Sequence, residues 1–78
     1  MLNVKVISPQ KILFDGEADH VLVPGLKGIL GIFSGHTPLY AEVTTGEIEV
    51  MGKEPLSFAV QSGILKVRKD QVILLIGL

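Results

Sequence analysis

Turn signals recur every few residues along this chain, and that spacing limits the fold more than any other feature. The signals are Ser8-Pro9, Asp15-Gly16, Pro24-Gly25, Ser34-Gly35, Thr45-Gly46, the stretch from Gly52 to Pro55, Ser62-Gly63 and Lys69-Asp70. Each pairs a residue that presets or tolerates an unusual backbone angle with a small or polar neighbour. The runs between them are strand length, and their apolar residues recur at every second position. Leu2, Val4 and Val6 alternate with Asn3 and Lys5, Val21 and Val23 share that spacing, and Ile48 and Val50 sit among Glu47 and Glu49. Leu56, Phe58 and Val60 form a further set, as do Leu65 and Val67 around Lys66. Period-two alternation marks strands with one wet face. No window supports an amphipathic helix of ten residues, because breakers intervene and β-branched Val and Ile dominate the apolar set. Eight to ten short strands at this spacing predict an all-β fold, a β-sandwich or flattened barrel. The last run, Gln71 to Ile76, is apolar on both faces and predicts a central strand. The chain's 78 residues are expected to form a single domain over 1–78.

Composition narrows the function classes. Seven basic residues against eight acidic ones leave a charge near zero, without the clustered cations that a phosphate backbone demands, so no nucleic-acid partner is expected. The group Lys66, Arg68 and Lys69 reads as a solvated strand end. Cysteine is absent, which removes disulfides, thiolate metal sites and a cysteine nucleophile from consideration. The start, Met1-Leu2-Asn3-Val4-Lys5, has neither a basic leader nor a long apolar block, so no secretory signal is expected. The longest apolar run, Val72 to Ile76, falls well short of the roughly 18 residues of a membrane-spanning helix. Yet 47% of the residues are hydrophobic, a large share for so short a chain. Either strands are buried on both sides, or a partner covers an outer face.

Catalytic chemistry is thinly represented. His20 and His36 lie far apart in the chain, with no carboxylate at a metal-ligand spacing. Asp15, Glu17 and Asp19 alternate and would share one strand face, which suits a solvated edge better than a cation site short of further oxygen ligands. Ser34 near His36 lacks a third orienting group. Gly25, Gly28 and Gly31 precede no helix whose N-terminal N–H groups would meet a phosphate. The residues thus predict no catalytic site, no metal, no nucleotide, no cofactor and no small-molecule substrate. The stretch Gly28-Ile29-Leu30-Gly31-Ile32-Phe33-Ser34-Gly35-His36-Thr37-Pro38-Leu39 reads instead as an apolar strand, a sharp Ser-Gly-His corner and a Pro-started strand. His36 there is either a brace for the corner or an interface residue, with Tyr40 beyond it as an amphipathic anchor.

That stretch resembles, nearly residue for residue, the central motif of the epsilon subunits of F-type ATP synthases. Further landmarks occur in the family's order: Leu2-x-Val4-x-Val6-x-Ser8-Pro9, Phe14-x-Gly16, Val23-Pro24-Gly25, Gly46-x-Ile48, Ser62-Gly63-Ile64-Leu65-x-Val67 and Val72-x-x-Leu75. The resemblance covers essentially the whole chain and corresponds to the family's N-terminal β-sandwich domain. It implies a flattened sandwich of about ten short strands in two sheets. It also implies a non-catalytic rotor subunit of the central stalk, which binds the gamma shaft and the membrane c-ring and couples proton- or sodium-driven rotation to ATP synthesis. Carried over by position, the gamma-facing residues would be Ser8, His36, Thr37, Tyr40 and Glu47, and the c-ring loop would be Leu26, Lys27, Gly28 and Ile29. Family members often hold an acidic residue at the position of Ile29, so ring contact here would be apolar or carried by Lys27. Typical members continue into two inhibitory C-terminal helices. Their absence after Leu78 is expected to mean the lack of that brake. The location implied is peripheral, on the cytoplasmic face of the bacterial inner membrane or the equivalent organellar face. Two other classes remain open from the residues: a free-standing β-domain that binds a ligand or peptide at a strand edge, and a metal-dependent enzyme built on Asp15, Glu17, Asp19 and His20.

Overall fold

A computed structural model describes residues 1–35 and 38–77, and every regular element in it is a strand. The nine strands are β1 (Leu2–Ile7), β2 (Ile12–Ala18), β3 (His20–Gly25), β4 (Gly28–Phe33), β5 (Leu39–Val43), β6 (Gly46–Met51), β7 (Leu56–Val60), β8 (Ser62–Arg68) and β9 (Gln71–Gly77). The alternation expected of them is realised. Leu2, Val4 and Val6 of β1, Val21 and Val23 of β3, Ile48 and Val50 of β6, and Leu65 and Val67 of β8 are all buried. They join Ala18, Ile32, Val43, Val60, Val72, Leu74 and Ile76 in one apolar core. In β7 the pattern weakens toward its start, where Leu56 is exposed, because β7 is an edge strand paired only to β6.

The strands form two leaves that face each other across that core. One leaf runs β2-β1-β9-β8-β5, and the other contains β3, β4, β6 and β7. The leaves are not separate sheets. A single residue pair, Gly25 of β3 opposite Val43 of β5, joins them into one curled, hydrogen-bonded path of eight strands, with β4 branching from β3. The resemblance implies about ten strands in two sheets; nine strands are seen among the described residues, and the two leaves are continuous through this one pair. A Cβ on Gly25 would lie 3.1 Å from both the Gly28 carbonyl oxygen and Leu30 Cδ1, so glycine here eases the close packing of β3 on β4. The junction is reinforced next door, where the Thr44 amide donates to the Pro24 carbonyl at 2.9 Å.

β9 occupies the centre of its leaf, as its two-sided apolar sequence predicts. It pairs antiparallel with β8 and parallel with β1, so the first and last strands lie side by side. Its inner residues Val72, Leu74 and Ile76 are buried, while outward-facing Leu75 is exposed. Several turn signals turn out to sit inside strands. Asp15-Gly16 lies within β2, where the Phe14 ring covers Gly16, with ring carbon Cζ 3.3 Å from the position a Cβ would take. Gly63 lies within β8, where the Leu75 carbonyl oxygen of β9 approaches so closely that a Cβ would stand 2.5 Å from it.

Candidate protein-interaction site

The β3–β4 hairpin closes through Leu26 and Lys27, between the paired residues Gly25 and Gly28. Gly28 adopts a φ of 125°, a region that residues with a Cβ seldom enter, so glycine fixes the turn at this point. Leu26 is 71% exposed and Ile29 is 73% exposed, and Lys27, also exposed, lies between them. Burying such an aliphatic side chain is worth about 1.5–3 kcal/mol, so two presented on one tip make a strong apolar anchor. The structure thus brings Leu26, Lys27, Gly28 and Ile29 together on a single projection.

The other set of sequence-derived residues is spread out. His36 and Thr37 lie outside the described residues. Ser8 is only 4% exposed, and its hydroxyl donates to the Lys11 carbonyl at 3.1 Å while accepting from the Lys11 amide at 3.2 Å. This closes the β1–β2 turn and uses the hydroxyl internally. Glu47 is exposed on β6 and accepts a hydrogen bond from Ser57 Oγ at 3.3 Å. Tyr40 stands on the outer face of β5, 71% exposed, with the Lys66 ammonium 5.9 Å from its ring centroid in a cation–π contact. Tyr40 and Glu47 therefore belong to different leaves.

The Ser34-Gly35 corner lies at the opposite end from the hairpin tip, beside the β8–β9 turn. Gly35 has a φ of 80°. Both residues are tied to one carboxylate oxygen: Asp70 Oδ1 accepts the Gly35 amide at 3.0 Å and the Ser34 hydroxyl at 3.2 Å. The Gly35 N–H above all, then the Ser34 hydroxyl, hold the Asp70 carboxyl below its usual range, with the N-terminal charge adding to the effect against a small opposing desolvation. Alongside, the His20 imidazole stacks on Phe33 with centroids 4.9 Å apart and planes 16° from parallel. Asp70, Phe33 and Lys66 are the residues that sequence reasoning missed. Asp70 reads as turn chemistry in the sequence, and no local pattern links it to partners 35 and 36 positions away.

The acidic trio does not converge with His20. Asp15 and Glu17 are exposed on β2, and Asp19 is exposed in the one-residue link that leads to His20 at the start of β3. Among the described residues no group of three or more His, Asp or Glu is placed to hold a metal ion. Among those residues, too, no buried side-chain nitrogen or oxygen lacks a hydrogen-bond partner, so no orphaned polar group signals a ligand. What this geometry presents at the surface is an apolar tip, a corner tied to Asp70 and an aromatic–cation pair.

Comparisons with known proteins agree on one lineage. The family model described as "ATP synthase, Delta/Epsilon chain, beta-sandwich domain" matches residues 1–77. The ATP synthase epsilon chain of Leptospira borgpetersenii is 43% identical over 75 residues, a span of 95% of this chain and 59% of that protein. The epsilon chain of Gloeothece citriformis is 38% identical over 77 residues, or 97% of this chain and 56% of its own. The chain thus spans less than two thirds of the relatives it matches. Among solved structures, the Euglena gracilis mitochondrial ATP synthase (OSCP/F1/c-ring) contains a chain that superposes with a TM-score of 0.89 at 14% identity, over 96% of this chain and 49% of that one. The central stalk/c-ring structure of the Tetrahymena thermophila enzyme gives 0.81 at 14% identity, over 96% and 62%. At such low identity these two structures speak to the fold alone. With the sequence match running from the first strand through the last, the chain belongs to the family of ATP synthase delta/epsilon β-sandwich domains.

Proposed function

We propose that residues 1–78 act as one rigid, non-catalytic unit in the rotor of an F-type ATP synthase, binding the gamma shaft on one side and the c-ring on the other. In this role the chain transmits rotation driven by protons or sodium ions to the catalytic subunits and performs no chemistry of its own. It sits peripherally at the cytoplasmic face of a bacterial membrane or the equivalent organellar face. The observation that carries the reading is the β3–β4 tip, where Leu26 and Ile29 stand exposed on a glycine-defined hairpin with one lysine between them. Ring contact then rests on apolar burial and Lys27. The densely packed core behind the tip suits the load, since interiors at crystal-like density resist shear. The corner at residues 34–37 and Tyr40 supply the shaft-facing side.

Co-purification tests the reading. Wild-type protein is expected to form a stoichiometric complex with gamma and to bind the c-ring directly through the tip. Leu26→Asp combined with Ile29→Asp is expected to weaken ring association about tenfold or more while sparing gamma, whereas His36→Asp or Tyr40→Ala weakens gamma binding. Wild-type protein that binds neither partner, or a tip variant that retains the ring fully, would refute it.

A further inference from the structure

The corner at Ser34-Gly35 has little packing of its own. Ser34, Gly35 and Pro38 are all exposed, and among the described residues no heavy atom beyond Gly35's own chain neighbours lies within 4 Å of where a Gly35 Cβ would stand. A glycine at positive φ in open space is among the most mobile positions a chain can have. Its observed ties run to Asp70 Oδ1, which receives both the Gly35 amide and the Ser34 hydroxyl. Asp70 is itself fixed from two directions. It occupies the two-residue turn of the β8–β9 hairpin, between paired Arg68 and Gln71, and its carbonyl accepts the Asn3 amide of β1 at 2.7 Å. Its neighbour Lys69 holds a φ of 56°, a left-handed conformation unfavourable for a residue with a Cβ. Such strain persists only where surrounding structure enforces it. A strained turn, pinned to the first strand, thus aims one carboxylate at the backbone of the 34–35 corner.

We propose that Asp70 is a positioning residue for docking: it presets the 34–35 backbone in the geometry that meets the shaft subunit. This rests on the reading of the corner as part of the shaft-facing side. A corner ordered before docking loses less conformational freedom on binding than one ordered by the partner, so the brace acts on affinity without touching the partner.

Three forms of the full chain separate the possibilities: wild type, Asp70→Ala and Asp70→Asn. Asparagine keeps an oxygen acceptor at the same position, while alanine removes both bonds. Amide exchange at Gly35 is expected to accelerate about fivefold in Asp70→Ala and to stay near wild type in Asp70→Asn. Exchange at Leu65 and Leu74 should be unchanged in both, which certifies the fold. Affinity for gamma is expected to fall about tenfold in Asp70→Ala and to recover in Asp70→Asn. Unaltered Gly35 exchange in Asp70→Ala overturns the brace. Faster exchange with unchanged gamma affinity overturns the positioning role. Absent gamma binding by wild type instead removes the shaft-facing reading, and the positioning role falls with it.

Discussion

Asp70 shows how an exposed side chain acquires an identity that its neighbours in the sequence do not confer. Donation from the Gly35 amide and the Ser34 hydroxyl favours the charged carboxylate. The folded pKa is therefore depressed below the unfolded one, and the sign follows: the stabilising contribution is present above the unfolded value and is lost as pH falls through the folded value. Followed by NMR on the Gly35 amide shift, the titration is expected to have its midpoint below the ordinary 3.8 and to vanish in Asp70→Asn. A midpoint at or above 3.8 would contradict the geometry. None of this is legible in the dipeptide Lys69-Asp70, which announces a turn and nothing more. The same holds for glycine. Gly28 is where its freedom of φ makes a turn, but Gly63 serves a close approach between strands and Gly16 a seat for the Phe14 ring. The one-letter signal is identical in all three cases because each exploits the missing Cβ.

At the level of elements, apolar alternation was the dependable guide, since period two has a direct physical counterpart in the two faces of a strand. It placed the inner faces of β1, β3, β6 and β8 correctly. In β9, where both faces are apolar, it implied a central position. The two faces of β9 are nevertheless unequal, and mutation should separate them. Leu74 is completely buried between the leaves, so Leu74→Ala is expected to cost about 2–5 kcal/mol in urea denaturation. Leu75 projects outward and stands 49% exposed, so Leu75→Ala should stay within about 0.5 kcal/mol in the isolated chain. Equal losses at both would mean that the outward face is covered. What alternation could not supply was pairing. Register and neighbour choice depend on contacts across the chain, and neither the parallel β1–β9 ladder nor the Gly25–Val43 junction leaves a local trace. The candidate site divides in the same way. The hairpin tip is a run of consecutive residues that the family resemblance names, while the corner's brace joins residues 35 positions apart and leaves no such trace.

For the molecule as a whole, the decisive feature is that the two ends of the sequence meet in the middle of one leaf. Closing a parallel ladder between Asn3–Ile7 and Gln71–Leu75 requires nearly the full chain to be gathered first. Loop-closure entropy of that kind slows folding into the range of milliseconds to seconds. Stopped-flow refolding should fall in that window, and removing residues 1–8 should abolish the cooperative urea transition, since β9 would lose a neighbour and the core Leu2, Val4 and Val6. A variant without β1 that still unfolds cooperatively would show that the remaining strands suffice. The same feature has a consequence during biosynthesis. A nascent chain emerging from the ribosome can form the β3–β4 and β6–β7 hairpins early, but β1 must wait, oily side bare, until β9 has cleared the exit tunnel. Translation rate and holdase chaperones while β9 is being made therefore bear directly on how much of this domain reaches its native state.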